Sequence, residues 1–177
     1  KVFDSSNQIG GQFNIAKTIP GKEEFYETLR YFKRQIELQP NIELVLNHTA
    51  TYEELSQAHY DDIVVATGVT PRQLQFEGID HPKVLSYLQV LKDRMPVGKR
   101  VAIIGAGGIG FDTAEYLSHE GESASLNPEK FYAEWGIDTS YANVGGLKAP
   151  QLEKSEREIY LIQRKTASVG ASLGKTT

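Results

Sequence analysis

Apolar and polar positions along the chain alternate between helical and extended periods. Phe25, Leu29, Phe32 and Ile36 recur at spacings of four, three and four, which predicts a helix with one apolar face. Lys22, Glu23, Glu27, Arg30 and Lys33 are left for its solvated side, the aromatics read as core, and Pro40 closes it. Ile42, Leu44 and Leu46 then alternate with Glu43 and Val45, as in a half-buried strand. Thr51-x-x-Glu54 is a capping-box start to a short helix. The run Asp61-Asp62-Ile63-Val64-Val65-Ala66-Thr67-Gly68 reads as a buried strand, and a further helix is predicted over 86–94. Lys99 and Arg100 precede Val101-Ala102-Ile103-Ile104, a continuous apolar run of the kind a parallel strand covered on both faces would show. Phe111, Ala114 and Leu117 follow at helical spacing, and Ile159-Tyr160-Leu161-Ile162 is again strand-like.

This alternation predicts an α/β chain with Rossmann-like, doubly wound parallel sheets. Pro71, Gly78, Pro82 and Pro96 punctuate 69–98, the best linker candidate. It separates a first unit, 1–95, from a second, 96–177. Within the second, 120–156 is irregular and reads as an insertion. There Asn127 and Pro128 start a helix, Phe131, Tyr132 and Trp135 cluster, and Gly136 stops it. Trp135 is expected as a buried staple, with a ligand-stacking platform as the alternative. The start at Lys1 inside a strand end and the abrupt finish at Thr177 suggest a fragment.

Composition narrows the function. With 19 basic and 23 acidic residues mixed along the sequence, no electrostatic footprint for nucleic acid is present. The longest charge-free apolar stretch, 101–111, is about half of the ~20 residues a spanning helix needs, so no membrane role is expected. The absence of cysteine excludes a disulfide framework, a thiolate metal site and an iron–sulfur cluster within this chain. His48, His59, His81 and His119 lack metal-ligand spacing, and no Ser-His-Asp arrangement stands out. No metal site and no catalytic residue are therefore assigned.

The chemistry concentrates in Gly105-Ala106-Gly107-Gly108-Ile109-Gly110, a G-x-G-x-x-G turn between the predicted strand and helix. The first glycine permits the tight turn, the second lets backbone approach a pyrophosphate, and the third lets helix and strand pack closely. The helix N-terminus offers free N–H groups and positive charge to a phosphate. A merely structural turn or an S-adenosylmethionine site are the alternatives. Asp112 lies two residues beyond Gly110, near the pocket mouth, a place for a carboxylate that orders a nicotinamide or a neighbouring cofactor, with plain helix surface as the alternative.

Gln163-Arg164-Lys165 ends the following strand, where a basic residue accommodates the 2′-phosphate of NADP and an acid would select NAD. Arg164 supported by Lys165 therefore points to NADPH, against a surface pair as the alternative. That strand end lies about 50 residues beyond Gly110 instead of ~20, which requires the insertion. Asp4, at the end of Val2-Phe3-Asp4, is either a ribose-binding acid or a loop cap. The Thr67-Gly68 strand end either lets backbone approach a ligand or makes a tight turn. Gly170, Gly174 and Lys175 suggest another phosphate-friendly loop, although Val169 stands where a Walker motif needs glycine.

Several linked segments carry a family resemblance: Gly10-Gly11-Gln12-Phe13-Asn14-Ile15-Ala16, Ala66-Thr67-Gly68-Val69-Thr70-Pro71-Arg72, His81-Pro82-Lys83-Val84-Leu85-Ser86-Tyr87, the glycine turn through Asp112, Glu134-Trp135-Gly136-Ile137-Asp138, and Leu161-Ile162-Gln163-Arg164-Lys165. Together they resemble the C-terminal region of bacterial NADPH-dependent 2,4-dienoyl-CoA reductases. The resemblance implies a truncated glutathione-reductase-type arrangement, an FAD domain interrupted by an NADPH domain. It also implies a cytoplasmic flavoprotein whose separate N-terminal barrel carries FMN and a 4Fe-4S cluster. Electrons would pass from NADPH to FAD, through the cluster to FMN, and on to a dienoyl thioester of fatty acid β-oxidation. Carried onto this chain, Asp4, Gly11, Gln12, Thr67 and Gly68 are implied FAD contacts. Gly105, Gly107, Gly108, Ile109, Gly110, Asp112, Arg164 and Lys165 are implied around NADPH. The chain alone is then expected to be inactive and to hold FAD weakly. Two other readings stand beside this one: a related flavin oxidoreductase of the trimethylamine-dehydrogenase or ferredoxin-reductase type, and a nucleotide-binding module without turnover.

Overall fold

The computed structural model describes residues 1–171 and 173. The chain forms two compact units, the first built from Lys1–Ala16 and Glu24–Val84, the second from Lys17–Glu23 and Leu85–Thr177.

In the first unit, β1 (Val2–Phe3) pairs in parallel with β2 (Leu44–Val45), Val2 opposite Leu44 and Phe3 opposite Val45. The strand predicted from the alternation at 42–46 is thus only two residues long. Helix α1 (Phe13–Ala16) meets α2 (Glu24–Leu38) through the Phe13 and Phe25 rings, 4.7 Å apart. α2 has the predicted apolar face, but Phe25, Leu29 and Ile36 are only half-buried and Phe32 is exposed. Helix α3 (Tyr52–Gln57) starts at Thr51, whose hydroxyl accepts from the Glu54 N–H at 3.2 Å. The reciprocal half of the capping box is not made, because the Glu54 carboxylate pairs with His48 Nε2 at 2.7 Å. That hydrogen bond holds the Glu54 carboxyl below its ordinary pKa.

The expected buried strand over 61–68 is corrected by the structure. Residues 62–76 have no regular structure and are exposed throughout, Val64 to 88%. A continuous apolar run becomes a strand only when neighbours complete its hydrogen-bond ladder on either side. Neither two-stranded sheet includes this run.

The second unit is a βαβ element. β3 (Arg100–Ile104) and β4 (Glu158–Ile162) pair in parallel over five residues, from Arg100 opposite Glu158 to Ile104 opposite Ile162. Helix α5 (Gly108–Ser118) packs against both strands, and α4 (Tyr87–Leu91) packs on α5. α4 carries a complete capping box between Ser86 and Gln89. The expectation that β3 is covered on both faces fails: Val101 and Ile103 are half-buried, whereas Ala102 and Ile104 are exposed. All buried apolar side chains among the described residues belong to this unit: Ile19, Val90, Leu91, Leu117 and Ala124. Ile19, 2% exposed, is the deepest of them. It comes from the segment that precedes α2, inserted among residues more than 60 positions later.

The insertion is ordered by one carboxylate. Helix α6 (Pro128–Glu134) opens with Asn127 as cap and Pro128 in its first turn, and Gly136 follows at φ 63°. Trp135 is not the buried staple expected; it is 66% exposed, its ring 5.8 Å from that of Phe131. The helix is too short to cover it. Asp138, in contrast, is buried. Its Oδ1 accepts from the Ser140 hydroxyl at 2.6 Å and the Ser140 N–H at 3.0 Å. Its Oδ2 accepts from the N–H and the side-chain amide of Asn143 at 3.0 and 2.9 Å. These donors, the Ser140 hydroxyl foremost, hold its carboxyl down at about 2.

Replacing Ile19 by Ala should cost about 2–5 kcal/mol of stability in urea unfolding. The same change at Val144, which is 98% exposed, should stay within about 0.5 kcal/mol. For Asp138 the folded pKa lies below the ordinary 3.8, so its contribution is complete above 3.8 and lost as pH falls through about 2. Fluorescence of Trp135, the one tryptophan, should change across that window in the wild type and lose the transition in Asp138→Asn.

Candidate functional site

Gly105 N–H donates to Ile162 O at 2.8 Å, so the two strand ends stay joined where the chain leaves β3. Gly105 has φ 119°, a backbone conformation that favours glycine. Gly107 is the N-cap of α5, and no side chain caps the helix there. A Cβ built on Gly105 or Gly107 meets nothing within 4 Å, so the outer face of the turn is open. At Gly110 the opposite holds: a Cβ would lie 2.0 Å from Gly105 O. Gly105 and Gly107 thus border open space, and Gly110 permits close contact between helix and turn.

Because Ile104 and Ile162 are register partners, residues just after β4 emerge on the same carboxyl edge as the turn. Arg164 and Lys165 lie there, exposed, with no ion pair or hydrogen bond among the described residues. Gln163 does not join them, since its amide donates to Ala167 O. Asp112 is on the second turn of α5, and its Oδ1 takes an ion pair from Lys22 Nζ at 2.6 Å. An open left-handed glycine, uncapped helix N–H groups and two available cations are the kinds of group that hold a phosphate.

The candidate FAD contacts form a looser group. Asp4 follows β1, its N–H donating to Val45 O at 3.0 Å and its Oδ1 accepting from Ser6 N–H at 2.8 Å. Gly10 and Gly11 have φ 111° and 46° and lead into α1 with Gln12. A Cβ on Gly10 would lie 2.2 Å from Leu29 Cδ2, so this glycine serves packing against α2, whereas Gly11 is open. Thr67 and Gly68 lie in the exposed irregular run 62–76, not at a strand end. Of the glycine loop near the C-terminus, Gly170 packs toward Phe111, while Gly174 and Lys175 lie outside the described residues.

The sequence matches the model of the pyridine nucleotide-disulphide oxidoreductase family over residues 2–168. The chain belongs to this family. Family membership implies FAD and NAD(P) binding and an oxidoreductase. The chain is 39% identical over 125 residues to a cinnamate reductase from Clostridium sporogenes, covering 71% of this chain and 18% of that protein. It is 33% identical over 126 residues to a bilirubin reductase from Mediterraneibacter gnavus, covering 71% and 19%. The chain therefore spans about a fifth of the length of these relatives. The solved complex of 2-naphthoyl-CoA reductase with 2-naphthoyl-CoA superposes with a TM-score of 0.60 at 21% identity, covering 97% of this chain and 30% of that one. That likeness extends to the fold, an α/β arrangement of the Rossmann kind.

No group of three or more metal-ligating side chains occurs among the described residues. No described helix is long and apolar enough to cross a membrane. Two residues bear on α5 that periodicity does not link to it. Lys22, expected on a solvated helix face, pairs with a residue 90 positions away. Arg157 Nη1 donates to Leu117 O at 3.2 Å and so closes the C-terminal end of α5.

Gly110→Ala should drive Cβ into the Gly105 carbonyl and destabilise the second unit by about 1–3 kcal/mol. Hydrogen exchange should show the loss in α5 and β3, with α2 and α3 unaffected.

Proposed function

We propose that this chain is the electron-input portion, NADPH to FAD, of a multi-cofactor flavoprotein that reduces 2,4-dienoyl-CoA thioesters. The observation that carries the reading is the shared carboxyl edge of β3 and β4, where the open glycine turn and the Arg164-Lys165 pair emerge together. NADPH is assigned to residues 96–177, with Gly105, Gly107, Gly108, Ile109 and Gly110 around the diphosphate and Arg164 and Lys165 around the 2′-phosphate. FAD is assigned to residues 1–95 through Asp4, Gly11, Gln12, Thr67 and Gly68. When bound, NADPH supplies a hydride and FAD accepts its electron pair.

The protein's own part in this is positional. N–H groups of α5 are directed at the diphosphate by the Gly105 turn, and the absence of side chains at Gly105 and Gly107 leaves the approach clear. Arg164 can meet a phosphate with two parallel hydrogen bonds, and Lys165 adds a point charge. FMN and a 4Fe-4S cluster belong, in this proposal, to a barrel domain elsewhere in the same cytoplasmic protein. The names of the two reductase relatives favour a second reading, in which the same input module serves a different electron acceptor.

Calorimetric titration with NADP⁺ and NAD⁺ tests the assignment. NADP⁺ should bind more tightly, and Arg164→Ala should remove about 1–3 kcal/mol of that preference. Equal affinity for the two nucleotides in the wild type would overturn the role of Arg164.

A further inference from the structure

Lys17–Glu23 belongs structurally to the second unit although it precedes α2 in the chain. Several attachments hold it. Ile19 is buried in that unit's core, Lys22 pairs with Asp112 at 2.6 Å, and Glu23 Oε2 accepts from the Ser125 hydroxyl at 2.6 Å. Burial pushes the Glu23 carboxyl up, but hydrogen bonds, that from Ser125 first, bring it below its ordinary pKa.

A partly exposed ion pair adds little stability of its own. The consequence of the Lys22–Asp112 pair is electrostatic. α5 has no acid in its first turn, so Asp112 is the carboxylate nearest its N-terminus along the helix. It lies four positions after Gly108, a rise of about 6 Å. Left unpaired, that negative charge opposes a diphosphate approaching the open turn.

We infer that Lys22 is a positioning residue for the pyridine nucleotide, delivered by the Lys17–Glu23 segment to neutralise Asp112 beside the glycine turn. This rests on the reading that the turn binds NAD(P). Lys22 acts through Asp112, so the identity of its partner decides its effect. Removing the cation alone exposes a repulsive carboxylate; removing both charges does not.

The test is titration of the chain with NADP⁺ in four variants, Lys22→Met, Lys22→Arg, Asp112→Asn and the double variant Lys22→Met/Asp112→Asn, at low and at high salt. Lys22→Met should weaken binding roughly 3- to 10-fold at low salt, with the difference shrinking as salt screens it. The double variant should return to within about twofold of wild type, Lys22→Arg should preserve affinity, and Asp112→Asn should bind at least as tightly as wild type. A purely structural tie would leave the double variant as weak as Lys22→Met, and that result overturns the inference. So does unchanged affinity in Lys22→Met. Should Lys22→Met not fold, weaker binding by Asp112→Asn overturns the inference and equal or tighter binding supports it. A wild-type chain that binds neither NADP⁺ nor NAD⁺ overturns the nucleotide reading itself and this inference with it.

Discussion

The second unit depends on the contact between Gly110 and the Gly105 carbonyl. Any Cβ at Gly110 would occupy the space of that oxygen. The absence of one lets the first turn of α5 lie directly on the loop leaving β3. The direction of the helix follows from this, and with it the direction of its uncapped N–H groups. Leu117 in turn reaches the core from the far end of the same helix, and Arg157 closes its last turn. A contact between two glycines thus sets both the hydrophobic interior and the open edge.

What was legible in the sequence was mostly local. α3, α4 and α6 begin where Thr51, Ser86 and Asn127 predict, because a cap acts within one turn of its own residue. The glycine turn and the parallel pairing of β3 with β4 were legible too, since the spacing and the apolar runs encode them together. The rest depended on neighbours that periodicity does not name. The run 61–68 has the composition of a buried strand, yet composition cannot supply the ladder that would bury it. Trp135 is large and apolar, yet α6 offers too little surface to cover it. Asp138-Thr139-Ser140 did carry a local signal, an aspartate poised to bind backbone two residues on. Ile19 and Lys22 carried none, because their partners lie far along the chain.

The charge distribution around the turn is asymmetric in a chain of net charge −4. Asp112, on the helix that leaves it, is matched by Lys22. The cations at the end of β4 have no partner among the described residues. A paired Asp112 and the unmatched Arg164 and Lys165 leave a rim with an excess of cations in a chain that is acidic overall. Such a rim raises the local concentration of polyanionic ligands without a large net charge that would attract them indiscriminately.

The placement of Lys17–Glu23 also bears on how the chain is made. Ile19 leaves the ribosome long before the residues that will cover it, and Asp112 follows Lys22 by 90 residues. At ordinary elongation rates this separation is on the order of 5–20 s. During that interval an apolar side chain destined for the deepest position in the fold stays in water. The second unit therefore closes backwards onto an older piece of chain, and the nascent protein has a delay in which Ile19 is open to chaperones and to misassociation.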